Sequence, residues 1–172
     1  MHIRIGATLR AGPPEWLRKR LIITDALQES MVLYAKDIVE KDCIVLPGGT
    51  TVLEAAESMR DRRHGFVLIG ASSRPEGMVT EWDVLEKVVA ANKSPAEVTL
   101  SDIMSTELVS IDADAGIASV ANMMTEKGVR RMLVTKKGEV VGVITAKTVL
   151  ARLDEYVNRI SSQISKLQAP WV

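Results

Sequence analysis

Soft metal ligands are scarce in this chain: one cysteine, Cys43, and two histidines, His2 and His64, in 172 residues. An internal disulfide needs a second cysteine, and three such ligands cannot by themselves close a four-coordinate zinc site. The expectation is an intracellular, metal-free protein. Net charge is missing too, because 22 Lys and Arg balance 22 Asp and Glu, so no overall field draws nucleic acid or an anionic membrane. Long apolar runs are absent, and nothing approaches the roughly 20 residues needed to cross a bilayer. Residues 1–20 carry Arg4, Arg10, Arg18, Lys19 and Arg20 with no uninterrupted apolar core, unlike a secretory leader. These absences point to a cytoplasmic chain of one or two small domains with a real core.

One pattern is written twice. Residues 37–85 and 102–150 correspond at a constant offset of 65 without a gap, through Asp37/Asp102, Ile38/Ile103, Ala56/Ala121, Met59/Met124, Leu68/Leu133, Gly77/Gly142, Thr80/Thr145 and Leu85/Leu150. The apolar pairs Ile44/Val109, Val52/Ile117 and Val79/Ile144 match in kind. Identity at ungapped spacing marks a repeated structural unit. Two units predict a pseudo-twofold pair, each burying its apolar face against its twin, with any ligand cleft between them.

Each copy opens on a short apolar run, Cys43–Leu46 or Leu108–Ile111, followed by a turn and a helix. In the first copy Thr51-Val52-Leu53-Glu54 is a capping-box signature, and Val52, Ala55, Ala56 and Met59 make one stripe. Ile117, Val120, Ala121 and Met124 repeat it. Two β-type runs come next, Phe66–Ile69 with Gly77–Val79 and Met132–Thr135 with Val140–Ile144, each pair reading as a hairpin. A last helix opens at Thr80 or Thr145. The unit is β-α-β-β-α, and Ser94-Pro95-Ala96-Glu97 between the copies makes a brief turn.

These residues resemble the CBS domain, the family named from cystathionine β-synthase, which normally occurs as a tandem pair. The resemblance rests on Ser101-Asp102-Ile103-Met104 opening a repeat and on Gly77-Met78-Val79-Thr80-Glu81-Trp82-Asp83 closing one, and it covers about residues 33–155. It implies an α/β fold of two repeats about a pseudo-twofold axis, with flanking N- and C-terminal helices. It also implies a cleft that takes AMP, ADP, ATP or S-adenosylmethionine.

The closing motif carries its own chemistry. A Gly before the strand end permits close backbone approach, and Thr80 at a helix start leaves amides that favour an anion such as phosphate. Asp83, one turn on, can accept two hydrogen bonds from a ribose diol. Thr-x-x-acid is equally a reciprocal helix cap, and that alternative stands. The second copy reads Thr145-Ala146-Lys147-Thr148, with a neutral hydroxyl in place of the carboxylate. The two sites are therefore expected to be unequal, with the Thr80/Asp83 side preferred.

Arg130 and Arg131 supply positive charge at a strand start; strand alternation sends them to opposite faces, so that one is solvated. The resemblance adds Val39, Lys41 and Asp42 before the first strand, Met104 and Ser105 at the corresponding place in the second copy, and His64, Gly65 and Phe66 opposite the arginines. Trp82 is read as helix surface rather than as a base-stacking residue.

Outside the repeats, Leu150, Leu153, Val157, Ile160, Ile164 and Leu167 alternate spacings of three and four, a seam suited to another helix or a second subunit. The expected divisions are a basic helical arm over 1–32, repeats over 33–93 and 98–155, and a helical extension over 156–172. No nucleophile–base pair or telling carboxylate pair stands out, so an enzyme is not expected. The reading is a homodimeric adenine-nucleotide sensor or regulator, requiring no cofactor, with an unidentified protein partner. A ligand-free dimerisation module and an S-adenosylmethionine sensor are the alternatives.

Overall fold

The computed structural model describes residues 32–167. The arm over 1–31, residues 168–172 and the side chains of Ile164 and Leu167 lie outside the described residues, so the seam's far end and its N-terminal partner do too.

The element order is α1 (Ala35–Ile38), β1 (Val45–Leu46), α2 (Val52–Arg62), β2 (Phe66–Ala71), β3 (Arg74–Thr80) and α3 (Glu81–Val84), which continues as a π-helical turn, Leu85–Val89. The second copy repeats it as α4 (Leu100–Ile103), β4 (Ser110–Asp112), α5 (Ile117–Lys127), β5 (Arg131–Lys136), β6 (Glu139–Thr145) and α6 (Ala146–Leu167). In each three-stranded sheet the first strand runs parallel to the second and the last two form the expected hairpin. Both hairpins carry a register shift at the same place, Ile69/Gly70 and Val134/Thr135. The second turns on Lys137 and Gly138, both at positive φ, the two-residue connection whose twist suits a hairpin. The expected capping box at Thr51 is made, with Glu54 accepting from the Thr51 amide at 3.0 Å.

Three features differ from the sequence reading. The hairpin strands run longer than their apolar runs, because Arg74, Pro75 and Glu139 extend the ladders through polar residues. Helix α3 ends in a π-turn, with Ala90 N–H bonded to Leu85 O and Lys93 N–H to Val88 O, and closes on Asn92 at φ 52, a left-handed position that asparagine tolerates. The third is a pair of short helices, α1 and α4, that open each copy and were not anticipated. Asp37 and Asp102 cap them by accepting from the Tyr34 amide at 2.9 Å and the Thr99 amide at 2.8 Å.

Those opening helices pack away from the copy they begin. Leu100 and Ile103 of α4 are buried in the first repeat's core with Ile44, Val52, Ala55, Val67, Ile69 and Val79. Conversely, α1 bonds the start of the second repeat, with Ala35 N–H to Ala115 O at 2.8 Å and Lys36 N–H to Ala113 O at 2.9 Å. After each helix the chain crosses over as an extended segment, and Glu40 pairs with Val143 as Ser105 pairs with Met78. Every one of these cross-links obeys the 65-residue offset.

The repeats meet through one face of their sheets. Strand alternation sends Val67 and Ile69 inward, while Phe66, Leu68 and Met78 pack with Leu133 and Val143 of the twin. That second burial explains why four consecutive residues of β2, Phe66–Ile69, are all buried. Among the described residues no helix is long and apolar enough to cross a membrane.

Candidate ligand clefts

Gly77 and Gly142 fix how closely the crossing segments approach. A Cβ at Gly77 would lie 2.6 Å from Met104 Sδ, and one at Gly142 would lie 2.6 Å from Val39 Cγ2 and collide with the Glu40 carbonyl oxygen. The close approach expected of these glycines thus serves the protein's own chain. Val39 and Met104 are spent on that packing and line neither cleft described below.

Two clefts open beside the segments. The first, about 220 Å³, is lined by Thr80, Asp83, Ser105, Arg130 and Arg131 among the anticipated residues, together with Glu107 and an apolar wall of Met78, Leu108, Val109 and Leu133. The second, about 770 Å³, takes His64, Gly65, Phe66 and Thr145, shares Arg130 and Arg131, and adds Glu40, Lys147 and Thr148. Lys41 and Asp42 are exposed and line neither. Asp42 pairs with Arg62 at 2.5 Å, and that guanidinium, through its hydrogen bond and charge, holds the carboxyl below its ordinary value.

Asp83 is the one buried charged residue of the described fold, at 9% exposure. Its Oδ2 accepts from the Thr80 amide at 2.8 Å and the Thr80 hydroxyl at 2.6 Å, while its own amide donates back to Thr80 Oγ1 at 3.3 Å. Its Oδ1 meets Lys87 Nζ at 2.8 Å, and Lys87 also donates to Ile103 O at 2.7 Å. Burial pushes the Asp83 carboxyl up, but Lys87 and the two Thr80 bonds outweigh it and hold it below the usual carboxylate range. The helix cap is therefore made, and an incoming hydroxyl would share Oδ1 with Lys87. Among the first three amides of α3, Glu81 N–H bonds Gly65 O and Asp83 N–H bonds Thr80 Oγ1, so two of the amides expected to favour an anion are already taken. The Trp82 side chain is 56% exposed and lines neither cleft.

The two arginines differ in environment, but not by strand alternation: Arg130 precedes β5, and both line both clefts. Arg130 is exposed and has no ion-pair partner among the described residues. Arg131 is 16% exposed, its Nη2 lies 2.6 Å from both Glu81 oxygens, and its guanidinium sits 5.7 Å from the Phe66 ring centroid. Phe66 in turn stacks on His64 at 6.1 Å. Two buried nitrogens here, His64 Nδ1 and Arg131 Nε, have no hydrogen-bond partner. Gly65 makes room for the pair, since a Cβ there would lie 2.8 Å from Arg131 Nη2.

The corner of the second cleft contains what sequence reasoning missed. Thr145 Oγ1 and Thr148 Oγ1 lie 2.7 Å apart, and both hydroxyls donate to Glu40 Oε1, Thr145 at 3.4 Å and Thr148 more closely. Glu40 is the counterpart of Ser105, so the signal was present in the same offset that aligned the motifs.

With this geometry in place, a family model of the CBS domain matches residues 35–90 and 100–155. The chain belongs to the CBS-domain family. An uncharacterized protein of Methanopyrus kandleri is 30% identical over 134 residues, 77% of this chain and 68% of that one. Hypoxic response protein 1 of Mycobacterium tuberculosis is 30% identical over 123 residues, 71% of this chain and 86% of its own. Among solved structures, a hexameric CBS-CP12 protein from bloom-forming cyanobacteria superposes with a TM-score of 0.63 at 27% identity, over 70% of this chain and 67% of that one. The CBS repeats account for the pairing of the sheets and for the clefts between them.

Proposed function

We propose that this CBS pair is a regulatory protein that binds an adenine nucleotide between its repeats and signals without catalysing. The observation that carries the reading is the first cleft. It sets an apolar wall, Met78, Leu108, Val109 and Leu133, beside a polar corner, Thr80 and Asp83, with Arg130 and Arg131 at its rim. Base, sugar hydroxyls and phosphate each find matching chemistry there. The ligand is AMP, ADP or ATP, with S-adenosylmethionine as the competing adenosine compound.

Self-association belongs to the same reading. Trp82, Leu85 and Val89 form an exposed apolar stripe on the outer side of α3, and Leu150 and Val157 are exposed on α6. Such surface suits a second copy in a homodimer. The similar cyanobacterial protein is hexameric.

A thermal scan tests ligand binding. A ligand that binds only the folded state stabilises it by about 2.7 kcal/mol at a hundredfold excess over its dissociation constant. Adenine nucleotides should raise the melting temperature more than guanine nucleotides do. Absence of any shift with millimolar AMP, ADP, ATP or S-adenosylmethionine would leave the interaction-module reading.

A further inference from the structure

The second cleft is the larger and the more cationic of the two. Six basic side chains line it against three carboxylates, and Arg63, Arg130 and Lys147 have no ion-pair partner among the described residues. Clustered unpaired cations in a concave wall favour a multiply charged anion. The corner beside them carries a different demand. Glu40 Oε1 is occupied by the Thr145 and Thr148 hydroxyls, whereas Oε2 has no hydrogen-bond partner among the described residues.

Oε2 is not among the buried unpartnered atoms, so it is open to solvent, and as an acceptor only it is available to a ligand's donor in exchange for water. Neutral hydroxyls satisfy it without competing for the cations. The Glu40 backbone is fixed by reciprocal bonds with Val143 at 2.8 and 2.9 Å, which holds the side chain at the corner. The contrast with the first cleft is direct: there the motif carboxylate is on the helix, at Asp83, and the crossing segment supplies Ser105. Here the helix supplies Thr148 and the crossing segment supplies the acid.

We propose that Glu40 supplies the carboxylate acceptor that the second motif lacks, so that this cleft binds a polyphosphorylated ligand through its vicinal sugar hydroxyls. The inference rests on the reading that the clefts bind nucleotides. It makes Glu40 the residue that selects for a sugar diol at the second site and gives the chain two sites of different construction.

Calorimetric titration of ATP and of 2′,3′-dideoxy-ATP into the wild type, Glu40→Gln and Asp83→Asn tests it. Gln keeps an oxygen for the two threonine hydroxyls, and circular dichroism with a melting curve checks each fold. The wild type should bind two ATP per chain. Glu40→Gln should weaken one site about tenfold, the difference between a charge-assisted and a neutral acceptor, and leave that site's affinity for the dideoxy ligand unchanged. Asp83→Asn should leave the Glu40 site intact, and that variant should still prefer ATP over dideoxy-ATP. One ATP per chain, lost only in Asp83→Asn, overturns the proposal while keeping the nucleotide reading. Tighter ATP binding in Glu40→Gln makes Glu40 a repulsive plug and overturns it too. Equal losses for both ligands reduce Glu40 to scaffolding, and equal affinities of Asp83→Asn for them refute the diol contact even should Glu40→Gln fail to fold. No ATP binding to the wild type removes the nucleotide reading itself.

Discussion

The pair Gly142→Ala and Gly77→Ala should behave very differently although the two glycines are equivalent in the repeat. At position 77 the obstacle to a new methyl group is the Met104 side chain, with Sδ at 2.6 Å and Cγ at 3.0 Å. A thioether on rotatable bonds can swing aside, so overpacking there should cost about 1–2 kcal/mol. At position 142 the obstacle is backbone. The methyl would fall on the Glu40 carbonyl oxygen and within 3.0 Å of its carbon, at a residue whose φ is 153°. Relief requires moving the crossing segment, which breaks the Glu40–Val143 bonds at 2.8 and 2.9 Å. Unpairing buried backbone groups costs about 1–3 kcal/mol each. Less than about 1 kcal/mol returns from the lower entropy of an unfolded chain with alanine. The net expectation is about 3–5 kcal/mol for Gly142→Ala, a large part of the stability of a domain this size. Urea denaturation followed by circular dichroism at 222 nm measures both. Midpoints for the two variants that agree within about 1 kcal/mol, at equal slopes, would refute the claim that the crossing segment is pinned by backbone on one side and by a soft side chain on the other.

Asp83→Asn should also have a pH signature. The folded Asp83 carboxyl is held below its ordinary value, so its contribution is fully present above the unfolded value near 3.9 and is lost as pH falls toward the folded one. The deficit of the variant in urea should therefore be largest at neutral pH and shrink below about pH 4; a deficit that grows on acidification contradicts the sign. Deleting residues 156–172 removes Val157, which is 58% exposed, and Ile160 from the seam of α6 while leaving both sheets. The truncated chain should fold with a lower self-association mass by light scattering, and an unchanged mass would dissociate this helix from any interface.

Most of the fold was legible because its signals are local or periodic. Thr51 and Glu54 announce α2, and the stripe of Val52, Ala55 and Met59 gives its buried face. The turn at Ser94-Pro95 is one too, with Glu97 N–H closing on Ser94 O at 3.1 Å. Four-residue helices escape that reading, since α1 and α4 are barely one turn long and periodicity needs two or more. Their aspartates were visible as the repeated pair Asp37/Asp102, but which core they enter is a long-range packing decision that no window contains. The site divides likewise. Thr80 and Asp83 are a motif with a spacing, whereas Glu40 reaches Thr148 from more than a hundred residues away. The offset predicts two unequal motif sites, but it does not say which of the remaining candidates closes which site. The chain divides most of them between two clefts that share Arg130 and Arg131, each closed by residues of both repeats, and leaves Val39, Lys41, Asp42 and Met104 outside.

Where the copies agree and where they part company is itself informative. The scaffold positions keep the offset in geometry: the register shifts at Ile69/Gly70 and Val134/Thr135, the left-handed helix ends at Arg63 and Gly128, and the bridges of Glu40 and Ser105 to the opposing strand ends. Several side chains that differ in charge stand at the cleft walls, while the one full reversal among the hairpins, Arg74 against Glu139, lies at exposed strand ends. Asp83 faces Thr148 across the offset, Glu81 faces Ala146, Arg131 faces Phe66 and Glu40 faces Ser105. A packed core penalises changes of even one methylene, so packing alone constrains the first group and not the second. At each of these four positions one copy carries a charge and the other a neutral side chain, a difference that structural support alone does not require. On the proposed reading, in which both clefts take ligands, that difference makes the two sites unequal, and the divergence that bears on binding lies at the cleft walls rather than in the sheets.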